Sequence, residues 1–153
     1  MKGMVVFDTS YGNTKSIALA ISETLRESGI DVDIIPVKNA KKLNAKENDF
    51  LVVGSPTRFG TMSFAIKGFL SKVKGEEWEN RPFAAFDTEN PENIEKNEGS
   101  AAEKIAANLR DKKMNQLLPV LKAVVYDMKG PLKEGEIERA REYGRRLAVE
   151  LKK

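Results

Sequence analysis

The sequence predicts an α/β fold in which a parallel five-stranded sheet is covered by helices on both faces. Short apolar runs alternate along the chain with segments of helical periodicity, which indicates repeated strand–helix units. The runs are apolar throughout, which is typical of strands buried on both faces. With 153 residues, 41% hydrophobic and 32% charged, the chain is expected to form one domain over residues 1–153.

The first half of the chain supplies three of the strands. A strand is predicted over Lys2–Asp8, where an apolar run indicates burial, and a helix over Asn13–Ser28, where apolar residues recur every four positions. Val32–Pro36 is predicted as an edge strand, because its aspartate and proline suit a sheet edge. The run at Asp49–Gly54 predicts a buried strand, and Val37–Asn48 is left open to a short helix.

The second half continues the alternation. Phe64–Val73 is predicted as a helix with its apolar residues facing inward, and Pro82–Phe86 as the fourth strand. Ser100–Lys112 is predicted as a helix capped by its first residue. Leu121–Tyr126 is predicted as the last strand and Glu134–Leu151 as the last helix. The apolar stripe of that helix is Ile137, Ala140, Gly144, Leu147 and Leu151.

Three polar loops are expected to meet at one edge of this sheet. With strand order 2-1-3-4-5, ligands bind beyond the carboxyl ends of strands one and three, where the order reverses. The loop Asp8–Thr14 follows strand one, and Gly54–Met62 follows strand three. Asp87–Gly99, the longest polar loop, follows strand four. Their convergence predicts a ligand site at this edge.

The first loop has the composition of a phosphate-binding turn. Thr9, Ser10 and Thr14 offer hydroxyl groups, and Gly12 allows a close approach to the backbone. The following helix start contributes roughly half a positive charge. A simple helix cap is the alternative, but the first helical turn contains no acidic residue, which favours an external anion.

The second loop suits a flat ring. Phe59 offers an apolar face next to hydroxyl residues, so the loops together suit a planar ring system that carries a phosphate tail. Three alternatives remain open: an ordinary strand-to-helix turn at Ser55–Gly60, a core position for Phe59, and a merely solvated acidic loop at Asp87–Gly99.

Composition narrows the function further. The chain contains no Cys and no His, so we predict no metal site and no catalytic residue, and any redox chemistry must come from an organic cofactor. A net charge of +3 with interspersed signs argues against nucleic-acid binding. No apolar run is long enough to span a membrane, and Met1–Val5 leads directly into a strand, so we expect no signal peptide and a cytoplasmic location.

Two other classes of α/β protein fit this sequence poorly. A signalling receiver domain needs a phosphorylatable aspartate at the end of strand three, where Gly54 stands. A P-loop nucleotide hydrolase needs a Gly-Lys-Ser or Gly-Lys-Thr sequence after the first glycine of the loop, and none follows Gly12.

Two of the loops resemble those of a known family. Thr9–Thr14 resembles the FMN phosphate loop of flavodoxins, and the resemblance covers essentially the whole chain. Ser55–Gly60 resembles the loop of NAD(P)H:quinone reductases related to the tryptophan-repressor-binding protein. The resemblance implies a three-layer flavodoxin-like fold with strand order 2-1-3-4-5.

The resemblance also implies a cofactor and a function. The chain would bind FMN and shuttle electrons between redox-partner proteins through the semiquinone and hydroquinone states of the flavin. An FMN-dependent NAD(P)H:quinone oxidoreductase is the alternative, with NAD(P)H and quinone as partners; the oligomeric state stays open. The implied FMN-binding residues are Thr9, Ser10, Tyr11, Gly12, Asn13, Thr14, Ser55, Pro56, Thr57, Arg58, Phe59, Gly60, Asp87, Thr88 and Glu89.

Overall fold

The computed structural model of the protein describes residues 1–40 and 45–153, in which strands and helices alternate. The strands are β1 (Lys2–Phe7), β2 (Asp31–Pro36), β3 (Phe50–Pro56), β4 (Pro82–Glu89), β5 (Asn115–Gln116) and β6 (Leu121–Val124). The helices are α1 (Asn13–Glu27), α2 (Phe64–Leu70), α3 (Pro91–Lys96), α4 (Ala101–Asp111) and α5 (Glu136–Leu151).

These strands form one parallel sheet of order β2-β1-β3-β4-β5, which confirms the predicted order. The fifth position is shared by two short strands. β5 pairs with the start of β4 at Pro82 and Phe83, whereas β6 pairs with its end from Phe86 to Glu89. β2 lies at the edge, as its aspartate and proline predict.

Apolar side chains fill the space on both faces of the sheet. Successive residues of a strand point to opposite faces, so Val5 and Phe7 pack beneath α1 and α5. Met4 and Val6 instead pack with residues of α2 and α4. The three-layer arrangement places the carboxyl ends of the strands, and the loops that follow them, along one edge.

Helices α1 and α5 approach each other closely at Gly144. A Cβ atom at this position would lie 1.8 Å from Thr24 Oγ1, so only glycine fits here. Arg141 also joins the helices, donating to Glu23 and Glu27 at 2.9 Å each. The predicted stripe of α5 is wrong at one position: Ile137 is 42% exposed, because the first turn buries its neighbour Glu136 instead.

The polar segment after strand four is not the loop that the sequence predicts. β4 continues through Asp87, Thr88 and Glu89, all of which are buried, and Pro91–Lys96 forms α3. Polar partners inside the protein hold the end of this strand. In the segment Val37–Asn48, 3₁₀ turns occur at Val37–Asn39 and Ala45–Glu47; residues 41–44 lie outside the described residues.

Within residues 1–40 and 45–153, no helix is both long and apolar enough to cross a membrane. The same residues contain no group of three or more His, Cys, Asp or Glu side chains placed to hold a metal ion.

Candidate functional site

A narrow open cleft lies where β1, β3, β4 and β6 reach their carboxyl ends. Loops after separate strands meet there, as the strand order predicts. Ten of the predicted site residues line the cleft: Thr9, Ser10, Tyr11, Asn13, Thr14, Pro56, Thr57, Arg58, Thr88 and Glu89.

The amino terminus of α1 faces the first loop without a capping side chain. Gly12 occupies the N-cap position with φ of 92°, and the first turn contains no acidic residue. The first helical hydrogen bond runs from the Ser16 N–H to the Gly12 carbonyl, at 3.0 Å. The N–H groups of Asn13, Thr14 and Lys15 therefore precede the helical ladder. Together with the helix dipole they provide a site for an anion.

The amino terminus of α4 shows the opposite arrangement, because groups of the protein fill it. Ser100 caps the helix with its hydroxyl group. Thr57 Oγ1 accepts a hydrogen bond from the Ala101 N–H at 3.0 Å, and Asp87 Oδ2 accepts one from the Ala102 N–H at 2.9 Å. The protein thus supplies its own carboxylate to the start of α4, whereas no carboxylate of the described residues caps α1.

Asp87 is held in an unusual electrostatic environment. Its side chain is fully buried, and Oδ1 has no hydrogen-bond partner among the described residues. Burial raises the pKa of Asp87 to about 7; the Ala102 N–H lowers this pKa, and the nearby charge of Glu89 raises it further. Asp87 therefore changes its charge near neutral pH, beneath the cleft.

The first loop is shaped by its own side chains. The Gly12 N–H donates to Thr9 Oγ1 at 2.9 Å, and the Thr9 N–H donates to Asp8 Oδ1 at 2.9 Å. The hydroxyl groups of Thr14 and Thr88 lie 2.9 Å apart and join α1 to β4. These contacts fix the backbone of the loop before any ligand binds.

The second loop presents an aromatic ring to solvent. Arg58 and Thr61 exchange backbone hydrogen bonds of 2.9 and 3.0 Å, which close a tight turn around Phe59. Phe59 has φ of 52° and is 97% exposed, so the alternative of a core position is wrong. Its ring borders a second open cleft, which shares Thr57, Arg58, Asn90 and Met128 with the first.

Four predicted site residues do not line either cleft. Gly12 forms the N-cap of α1. Ser55 is buried, where its Oγ accepts from the Ser63 N–H at 3.0 Å and so fixes the start of α2. Gly60 lies against the backbone of Glu98, and Asp87 caps α4. For these residues a binding role stays a prediction.

Glu89 connects the cleft to α3. Its Oε2 accepts a hydrogen bond from Asn93 Nδ2 at 2.8 Å, and Asn90 caps α3 through the Asn93 N–H at 2.8 Å. Burial raises the pKa of Glu89, whereas the Asn93 hydrogen bond and the charge of Lys122 lower it. The end of β4 is therefore held by polar contacts on both faces of the sheet.

A loop after the last strand also lines the cleft, and sequence reasoning missed it. Val125 and Met128 contact the cleft from this loop, as does Asn90 from the end of β4. Asn13 Nδ2 donates to the Lys129 carbonyl at 3.2 Å, which joins the loop to the start of α1. Met128, two residues beyond the last predicted strand, was the available signal for this loop.

The whole arrangement therefore combines an anion site with a flat apolar border. The anion site consists of backbone N–H groups and hydroxyl groups at the start of α1. The apolar border is formed by Phe59 and Met128, which both line the second cleft. A molecule with an anionic tail and a planar ring matches both parts.

Comparison with known proteins gives consistent matches. A family model described as a flavodoxin domain matches residues 4–126. A flavodoxin of Aquifex aeolicus (strain VF5) is 38% identical over 78 residues, which cover 50% of this chain and 42% of that protein. An NAD(P)H dehydrogenase (quinone) of Paracoccus denitrificans (strain Pd 1222) is 28% identical over 98 residues, covering 51% and 47%. The matched regions thus span less than half the length of these curated relatives.

A solved structure shares the whole architecture. The structure of a flavodoxin from the domain Archaea superposes with a TM-score of 0.80, covers 100% of both chains and is 24% identical in sequence. The likeness confirms the predicted three-layer fold.

Proposed function

The chain belongs to the flavodoxin family, whose members bind FMN, and we propose that residues 1–153 form an FMN-binding domain that carries electrons between redox-partner proteins. The observation that supports this most strongly is the uncapped amino terminus of α1. Its N–H groups and the hydroxyl groups of the first loop suit a phosphate dianion.

The residues of the clefts fit FMN. Gly12 has no atom within 4 Å of the position that a Cβ would occupy, so an oxygen of the phosphate has room to approach the backbone. Thr9, Ser10 and Thr14 would add hydroxyl donors. Phe59 and Met128, which are 97% and 50% exposed, would cover the apolar ring.

Bound FMN supplies the redox chemistry, since it takes up and releases electrons. The protein would bind the phosphate at α1 and orient the ring between the second loop and the loop after β6. Arg58 is half-buried in the lining of both clefts and would place a positive charge near the ring. Glu89, held by Asn93, would fix the end of β4 beside it.

A second candidate function is an FMN-dependent NAD(P)H:quinone oxidoreductase. The second loop, Ser55–Gly60, resembles that of such reductases, and several curated relatives are NAD(P)H dehydrogenases (quinone). The carrier remains the first proposal because the flavodoxin domain model matches residues 4–126 and the curated flavodoxin is 38% identical over the region it matches.

One assay separates the two functions. The FMN-loaded protein is mixed with NADPH and a water-soluble quinone, and the absorbance of NADPH is followed. A carrier is expected to oxidise NADPH no faster than free FMN does at the same concentration. Sustained oxidation that requires the quinone would contradict the carrier and support the reductase.

Partners and location belong to the same proposal. We propose redox-partner proteins as electron donors and acceptors and a cytoplasmic location. Fractionation of the source cells, with an antibody against the protein, would check the location.

A further inference from the structure

Helix α2 carries an exposed stripe that leads away from the candidate site. The stripe consists of Phe64, Lys67, Gly68, Ser71 and Lys72, which recur at helical spacing along α2 and the turn that follows it and are all exposed. Phe64, the first residue of α2, is 91% exposed. Its ring therefore makes little contact with the rest of the described residues.

The stripe lies in a basic part of the chain. Residues 50–75 contain four basic and no acidic residues. Among the described residues, Lys67 and Lys72 form no ion pair, which is also true of Lys15, Lys38 and Lys104. The positive charges of the stripe are therefore not neutralised within the described chain.

Gly68 is unexplained by the structure of the chain itself. A Cβ atom at this position would meet nothing within 4 Å. Glycine inside a helix is unfavourable relative to other residues, because its backbone loses more freedom on folding. Nothing inside the described molecule therefore requires glycine here, but a surface that packs closely on α2 would.

The stripe is joined to the candidate cofactor site. The Ser63 N–H donates to Ser55 Oγ at 3.0 Å, so α2 starts from the end of β3. Phe64 follows the Arg58–Thr61 turn by three residues in the sequence. The start of the stripe is therefore tied to the second loop, which carries the exposed ring of Phe59.

We propose that the α2 stripe is the docking surface for an electron-transfer protein with an acidic surface, a proposal that rests on the proposed carrier function. Phe64 provides the apolar contact, Gly68 admits the close approach, and Lys67 and Lys72 attract the acidic partner. Charge complementarity of this kind raises the rate of encounter and sets the orientation of the partner.

A protein partner fits the stripe better than a membrane surface does. Helices that lie on membranes bury a broad apolar face into the lipid. α2 is seven residues long and exposes one large apolar residue, followed by glycine and serine. That face is too small and too polar to anchor the protein on lipid.

The test uses the FMN-loaded protein and one probe protein, an acidic [2Fe–2S] ferredoxin that is reduced beforehand and freed of excess reductant. One electron leaves the iron–sulfur centre of the ferredoxin, which is oxidised, and enters the bound FMN, which is reduced. The second-order rate constant is measured by stopped flow at low and high salt. The K67E/K72E variant is compared with R146E/K153E, which changes the net charge equally on or beyond α5.

We expect K67E/K72E to lower the rate constant with the acidic ferredoxin by about tenfold or more at low salt, and the control variant to change it by less than about twofold. The difference should nearly vanish at about 1 M salt, where screening is complete within a few ångströms. Equal rate constants for the two variants would overturn the docking surface.

A variant at Gly68 separates docking from folding. Gly68→Gln should raise the temperature of unfolding, because glutamine favours helix more than glycine and has open space here. It should also lower the rate constant with the ferredoxin at every salt concentration, because its side chain blocks close approach. A rate constant unchanged from the wild type would contradict the close contact.

Two further readouts distinguish the remaining outcomes. Flavin absorbance of each variant reports its FMN content. A protein that never takes up FMN would contradict the carrier function. Variants that are loaded with FMN and have unchanged rate constants would contradict the docking surface alone. Sedimentation with phosphatidylserine vesicles is expected to leave the protein in the supernatant. Cosedimentation that Phe64→Ser and K67E/K72E abolish would replace the protein partner with a membrane.

Discussion

The hydroxyl groups of Thr14 and Thr88 lie 2.9 Å apart in a buried position and join the first turn of α1 to the end of β4. Thr14 is one of the residues proposed to bind phosphate. Thr88 directly precedes Glu89, whose carboxylate makes polar contacts at the end of β4. The bond therefore links the anion site to the strand that carries the other wall of the cleft.

Replacing Thr88 with valine should lower the free energy of unfolding by about 1–3 kcal/mol, because the Thr14 hydroxyl would be left buried without this partner. The double variant T14V/T88V should lose less than the sum of the single variants, since both polar groups are then absent. Urea unfolding of the four proteins measures the coupling. Strictly additive losses would show that the two hydroxyl groups do not interact.

Gly12 and Gly135 form a matched pair for testing the anion site. Both are N-caps with positive φ, 92° and 88°, and neither has an atom within 4 Å of a Cβ position. Alanine at either position should lower the free energy of unfolding by about 1–2 kcal/mol, through the same backbone strain. Only Gly12→Ala should also weaken FMN binding, measured by fluorescence titration of the apoprotein. Equal FMN affinities of the two variants would place the phosphate elsewhere.

Asp87 should make the stability of the apoprotein fall as the pH rises. Its pKa is about 7 in the folded protein, against 3.8 for the free side chain. Between these values the folded protein keeps a proton that the unfolded chain has released, so a rising pH favours unfolding. The full effect is on the order of 4 kcal/mol between about pH 4 and pH 7. Burial raises the pKa of Glu89 as well, which adds a contribution of the same sign.

Urea unfolding at several pH values would check this. Asp87→Asn should remove most of the decline, because asparagine still accepts from the Ala102 N–H but carries no charge. Asp111→Asn, at the exposed end of α4, should leave the decline of stability with pH in place. Parallel pH profiles for wild type and D87N would show that Asp87 does not titrate in this range.

Gly144 should be the least replaceable residue of α5. An added Cβ would lie 1.8 Å from Thr24 Oγ1 and 2.9 Å from the Ile21 carbonyl, so the two helices would have to separate. Gly144→Ala should lower the free energy of unfolding by about 1–3 kcal/mol or more. Adding Thr24→Ala removes the nearer clash and should restore part of the loss. Thermal and urea unfolding measure the stability of the single and the double variant. A G144A protein as stable as the wild type would contradict the close approach of α1 and α5.

The sequence was sufficient for the strand order of the sheet, which depends on local pattern, but it did not predict the short strand β5. Buried parallel strands appear as continuous apolar runs, and the edge strand β2 shows its aspartate and proline. The end of β4 was not predictable in this way. Asp87 and Thr88 look like loop residues, and their burial depends on Ala102 and Thr14, which are distant in the sequence.

The candidate site was predictable where loops follow strands with recognisable composition, and not where contacts are made across the fold. Met128 lines the cleft because Asn13 binds the Lys129 carbonyl, 116 residues away. The sequence predicts that Phe59 lies on the loop but not that its ring faces solvent. Its exposure follows from the turn that Arg58 and Thr61 close.

The most direct test of the account compares FMN with riboflavin, which has the same ring and lacks the phosphate. The apoprotein is titrated with each, and binding is followed by the quenching of flavin fluorescence. We predict one FMN bound per chain and an affinity for riboflavin that is lower by at least about tenfold, because the α1 terminus and its hydroxyl groups bind the phosphate. An apoprotein that binds neither flavin, or both with equal affinity, would contradict the central claim.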